Sequence, residues 1–206
     1  MSLCIAMNNP GNFILLAGDG RIIRNDKIIK DNHDKVTKLN SHAVIYTSGV
    51  QEAAEELRES IKSKINDYTR IEAIAKLVQQ ESLRIHQKFL KKKPEIETYC
   101  NGGHTTMATL IGFYDILTNT SGYYEFRHID NFQPIMNINS EVKTWGIGQD
   151  YALKVLLNNH SFGMEPTNNI LNVYDVVSLT ERKVGGAITI YTVNRSGVKK
   201  FRREVM

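Results

Sequence analysis

The chain has little cysteine, little proline and a single tryptophan. Two cysteines, Cys4 and Cys100, in 206 residues make neither a disulfide framework nor a metal-ligand set. The expectation is free thiols in a reducing compartment, the cytoplasm. The histidines (His33, His42, His86, His104, His128 and His160) show no metal-ligand spacing. No metal and no cofactor is expected. No G-x-x-x-x-G-K-[ST] loop occurs, so the chain has no nucleotide-binding loop of this type. No apolar run approaches the roughly 20 residues needed to span a bilayer. The stretch from Met1 to Asn9 lacks the basic flank and long apolar segment of a secretory signal. No repeat, linker or low-complexity segment interrupts residues 1–206, which are long enough for one domain with its own core.

Hydrophobic residues make up 41% and charged residues 23%, with a formal net charge of +4. The basic residues run together at Lys91-Lys92-Lys93 and at Lys199-Lys200 with Arg202-Arg203. Such runs can contact phosphate backbones. No aromatic residues interleave with them and no nucleic-acid motif adjoins them, so they are read as solvated ends of elements, and no nucleic-acid partner is expected.

What is present starts with four strand-length apolar runs: Ser2 to Met7, Asn12 to Asp19, His33 to Leu39 and His42 to Gly49. The turn Asn8-Asn9-Pro10-Gly11 joins the first two as a hairpin. Ser48 and Gln51 have capping-box spacing, followed by apolar residues at helical spacing from Val50 to Ile65. Thr69 and Glu72 repeat that signal before a longer helix, Ile71 to Phe89, ended by three lysines and Pro94. A loop is expected over 95–103. Strands follow at His104 to Leu117, Tyr123 to Ile129 and Glu141 to Gly146. Helices are expected at Asp150 to Asn159, with Tyr151, Ala152, Val155 and Leu156 inward, and at Asn169 to Val184. Gly185 to Asn194 and Val198 to Glu204 close the chain as a hairpin. This order buries every apolar face if two antiparallel sheets stack between two helical layers, an α+β, four-layer αββα sandwich.

Ser2 has a chemical reading. A serine hydroxyl needs a base to take its proton. If Met1 is removed, the Ser2 amine becomes that base and one residue supplies both groups. A buried lysine tunes such a pair electrostatically, and a carboxylate holds the lysine in place. Lys35 and Asp19 are the candidates. Gly49, at the expected strand-to-helix junction, offers an N–H to a developing oxyanion, or simply eases a tight turn. Cys4 is read as a core residue.

The segments Leu16-Ala17-Gly18-Asp19-Gly20-Arg21, Asp34-Lys35-Val36-Thr37-Lys38-Leu39 and Tyr46-Thr47-Ser48-Gly49 resemble the amino-terminal half of a proteasome β-type subunit. They are most similar to the peptidase subunit of the bacterial two-component ATP-dependent protease. That family has an N-terminal threonine nucleophile, an aspartate, a lysine sixteen residues later and an oxyanion-hole glycine fourteen residues after that. Asp19, Lys35 and Gly49 stand at those intervals. An ungapped count back from Asp19 places the threonine at Leu3. One extra residue in the turn between Asn8 and Asn12 places it at Ser2, and Ser2 is taken here because turns tolerate insertions. In the second half, Leu110-Ile111-Gly112-Phe113, Trp145-Gly146-Ile147-Gly148 and Gly185-Gly186-Ala187-Ile188 agree in outline. The resemblance implies the N-terminal nucleophile hydrolase fold. It also implies a peptidase or amidohydrolase acting through Ser2, a homo-oligomeric ring, peptide or amide substrates and a separate ATPase partner as an open question.

The chain departs from the family at two places. The family's serine after the glycine-rich turn is missing from Gly148-Gln149-Asp150-Tyr151, and before Gly185-Gly186 the chain has Glu181 and Val184 where the family has aspartate and serine. Glu181 can keep an acidic role, but Val184 offers no side-chain hydrogen bond. The alternative reading is therefore a catalytically inactive proteasome-like scaffold or ring subunit.

Overall fold

The computed structural model describes residues 2–24, 26–93, 95, 106–161 and 163–204. Met1, Cys100, His104 and nearly all of the loop expected over 95–103 lie outside the described residues. The strands are β1 (Leu3–Asn9), β2 (Phe13–Asp19), β3 (Ile22–Arg24), β4 (Lys27–Lys30), β5 (Val36–Asn40), β6 (Ala43–Gly49), β7 (Met107–Asp115), β8 (Thr120–Arg127), β9 (Ile135–Asn137), β10 (Glu141–Gly146), β11 (Ile188–Asn194) and β12 (Gly197–Arg203). The helices are α1 (Gln51–Lys62), α2 (Ile71–Lys92), α3 (Gln149–Ser161) and α4 (Pro166–Thr180).

Two five-stranded antiparallel sheets form, in the orders β10-β1-β2-β11-β12 and β5-β6-β7-β8-β9. Side chains alternate along a strand, so each strand serves two layers. In β1, Leu3, Ile5 and Met7 join Leu15, Ala17, Leu156, Ile170 and Val173 under α3 and α4. Cys4 and Ala6 point the other way, into a layer with Ile14, Leu16, Val44, Tyr46, Leu110 and Tyr123 between the sheets. The second sheet turns Ala43, Ile45, Ile111 and Phe126 toward α1 and α2. Both faces of both sheets are covered, which is why these strands read as continuous apolar runs. The result is the expected αββα sandwich.

Local details differ from the sequence reading. A two-stranded hairpin, β3-β4, stands between β2 and β5. Its strands are short and mostly exposed, so no apolar face marks them. Neither capping box forms: the N-caps of α1 and α2 are Val50 and Arg70, without side-chain cap bonds. Thr69 Oγ1 instead accepts from Asn66 N at 2.9 Å. Helix α4 starts earlier than expected, at Pro166, where Glu165 caps Asn168 N at 3.0 Å. It stops at Thr180, and β11 begins only at Ile188, because Gly185 and Gly186 take positive φ. Tyr151 is 43% exposed rather than inward, whereas Ala152 and Leu156 are buried. Cys4 is fully buried in the core. The three lysines ending α2 are exposed. The C-terminal cations are ion-paired: Lys200 and Arg202 with Asp34, Arg203 with Asp175.

Glu81 fastens α2 to the end of α1. It accepts from Ser60 Oγ at 2.8 Å, Lys64 Nζ at 2.6 Å and Arg84 Nε at 2.9 Å. Burial raises the pKa of its carboxyl, but these three donors together outweigh it and bring the value down to about 2. The folded value lies below the unfolded one, so this stabilisation is present above the ordinary glutamate range and is lost as pH falls toward 2. Lys64 and Arg84 are about half exposed, and solvent screening reduces the effect. Glu81→Gln is expected to cost about 1–2 kcal/mol at pH 7. The difference from the parent should shrink between pH 4 and 2 in urea titrations, and a pH-independent difference would refute the assignment.

Candidate active site

Ser2 lies at the entrance to β1 and is 6% exposed. Its carbonyl accepts from Ile147 N at 3.1 Å. Across the strand pair, a Cβ on Gly146 would stand 1.8 Å from that carbonyl oxygen, and Gly146 has φ 99°. A glycine is therefore required for the backbone to close on Ser2.

The antiparallel register brings the end of β2 beside the start of β1, with Cys4 opposite Gly18. Asp19 is thereby buried to 1% exposure. Its Oδ1 accepts from Leu3 N at 3.1 Å, and its Oδ2 from Arg21 N at 3.3 Å and Lys35 Nζ at 3.1 Å. Lys35 precedes β5, its carbonyl held by Thr47 N at 3.0 Å. Its Nζ also reaches Ser2 Oγ at 2.5 Å and the Arg21 carbonyl at 2.6 Å. Three oxygens thus surround Nζ. Burial pushes both ionisable partners toward neutrality. It raises the Asp19 carboxyl against the opposing effects of Lys35 and two backbone N–H groups. It lowers the Lys35 amine against the attraction of Asp19.

Ser2, Asp19 and Lys35 are therefore one hydrogen-bonded cluster. Gly49 is not part of that chain of bonds but lines two clefts shared with Ser2. It ends β6 and is not the first residue of a helix, which begins at Gln51, so its N–H belongs to the strand end rather than to the helix N-terminus expected from the sequence. Its φ is 115°, and a Cβ would meet the Thr106 carbonyl oxygen at 2.4 Å.

Sequence reasoning missed Tyr46. Its buried hydroxyl interacts with Ser48 and Ser2, and burial raises its pKa strongly. The alternation of β6 was the available signal, since Tyr46 and Val44 share the inter-sheet face. Glu181 does not replace a supporting acid: it packs against Gly148 and is absent from the hydrogen bonds around Ser2 among the described residues. Val184 is fully buried. Gln149 occupies the turn that lacks the family's serine, and its Oε1 accepts from Gly146 N at 3.1 Å.

The model of the proteasome subunit family matches residues 4–119, more than half of the chain. This chain belongs to the proteasome subunit family. The match includes Asp19, Lys35 and Gly49 and begins two residues after Ser2. No curated protein matches the chain. No helix among the described residues is long and apolar enough to cross a membrane. The family's two-sheet sandwich explains why a short amino-terminal strand carries the cluster: β1 lies inside the first sheet, flanked by β2 and β10, so its first residue is held on both sides.

Proposed function

We propose that this proteasome-family subunit is a peptidase or amidohydrolase whose nucleophile is Ser2, freed by removal of Met1. The observation that carries the reading is the contact of Lys35 Nζ with Ser2 Oγ at 2.5 Å inside a buried cluster. The hydroxyl proton passes to a base as Oγ attacks the carbonyl, forming the Oγ–C bond. Lys35 in its neutral form has a lone pair for that proton and burial favours this form; the free Ser2 amine is the second base of the site. Asp19 fixes Lys35, and the Gly49 N–H holds the oxyanion. The C–N bond then breaks, the amine leaves with the proton, and water releases the acyl group from Oγ. The subunits act within a homo-oligomeric ring in the cytoplasm, and a separate ATPase is a candidate partner that delivers the peptide.

The test is intact mass with and without an electrophile that forms an ester with serine. Loss of one methionine, followed by a single adduct mapped to Ser2, is the expected result. Retained Met1 with no adduct would overturn the reading. It would favour the inactive ring subunit, which Val184 and Gln149 support because neither supplies the family's serine hydroxyl.

A further inference from the structure

The cleft on one side of Ser2 has a volume of about 440 Å³. It is lined by Arg21, Arg24, Lys35, Arg58, Lys93 and His33, against one acidic residue, Glu52. Two of these cations are neutralised within the protein. Arg21 pairs with Asp31 at 2.7 Å and Lys35 with Asp19 at 3.1 Å. Arg24, Arg58 and Lys93 have no carboxylate partner among the described residues. Arg58 is the unusual one, because it is only 8% exposed. Its Nη1 donates to Thr47 Oγ1 at 2.7 Å and its Nη2 to His33 Nε2 at 3.3 Å. Both acceptors are neutral when His33 presents a bare Nε2, and burial together with Arg58 keeps the His33 pKa low. These two bonds occupy two of the five guanidinium N–H groups. Glu55, Asp34 and Glu59 favour its charge only from beyond ion-pair distance, so the buried guanidinium, placed in a cleft, is suited to an anion from outside. Thr47 also links it to the cluster, since its N–H is bonded to the Lys35 carbonyl.

We propose that this cleft receives an acidic side chain, so that the bond broken follows a glutamate or aspartate of the peptide. This rests on the hydrolase reading above for catalysis, but not for binding. The carboxylate pairs with the free edge of Arg58, and Arg24 and Lys93 at the rim draw it in.

Two measurements test it. The first compares cleavage of matched fluorogenic peptides with Glu, Gln or Leu before the leaving amine. The second measures binding of the acetylated Glu and Gln peptide amides to Ser2→Ala protein by calorimetry. Glu is expected to exceed Gln by about tenfold in kcat/KM and about fivefold in affinity. Arg58→Gln should bring both ratios within about twofold. Arg24→Gln and Lys93→Gln, both on the surface, should lower the ratios in part and report if Arg58→Gln fails to fold. Equal binding of Glu and Gln peptides overturns the acidic cleft, whatever the catalysis. Preferential Glu binding without cleavage of any peptide leaves the cleft standing and overturns the hydrolase.

Discussion

Ser2→Ala is expected to lower amide hydrolysis by at least about 10³-fold, because removing a nucleophile from a set that acts as a unit removes most of its catalysis. The same change should abolish the electrophile adduct. The fold should survive. The hydroxyl is a small group at the mouth of β1, and the strand is held by the ladder to β2 and β10 and by the Leu3 N to Asp19 bond. The loss of one acceptor for Lys35 should cost about 1–3 kcal/mol, and the protein should sediment as before. Ser2→Thr keeps a hydroxyl and should keep measurable turnover. Hydrolysis equal to the parent in Ser2→Ala would exclude Ser2 as the nucleophile and would direct attention to the neighbouring hydroxyls of Ser48 and Tyr46.

Lys35→Met is the second large effect. Loss of a positioned base costs about 10²–10⁴-fold. The single variant also leaves Asp19 as a buried carboxylate without its cation, a destabilisation of about 3–5 kcal/mol. Lys35→Met with Asp19→Asn separates the two consequences, since the neutral amide oxygen still accepts from Leu3 N. That double variant should regain much of the stability and none of the activity. Lys35→Arg keeps the charge but cannot lose a proton, so it should also be inactive.

The pH profile of the parent supplies the sign. Activity that needs neutral Lys35 rises with pH as the amine loses its proton. Burial lowers that amine, so the rise should fall below the ordinary lysine value of about 10.4. A recovered activity in the double variant, or a rate that falls across this range, would remove Lys35 from the proton transfer.

Much of this was readable along the chain because it is periodic or local. Runs such as Leu3 to Met7 and Phe13 to Asp19 declare strands, and the intervals from Asp19 to Lys35 to Gly49 carry the resemblance that the family match bears out. The β3-β4 hairpin and β9 escaped because short, exposed strands have no apolar face to announce them. The capping boxes misled because Ser48 sits in β6 and Asn66 engages Thr69; a spacing alone does not decide which partner a hydroxyl takes. The site was only half legible. The three charged or hydroxylic residues were named, but Tyr46 and Thr47 stood only as members of a segment of the resemblance without a role, and Arg58 lay unmarked on a helix.

The sequence by itself determined the layers, since a period of two in the strands and 3.6 in the helices decides which faces must be buried. It also determined the candidates, because their residue types limit the chemistry. The tertiary structure alone decided that Lys35 touches Ser2 while Glu181 does not, and that Arg58 meets Thr47 and His33 with no carboxylate in ion-pair contact among the described residues. Those facts depend on strand register and on the docking of α1 against the second sheet. Contacts between residues far apart in the chain are set by how the faces close on one another, and no local pattern encodes that closure.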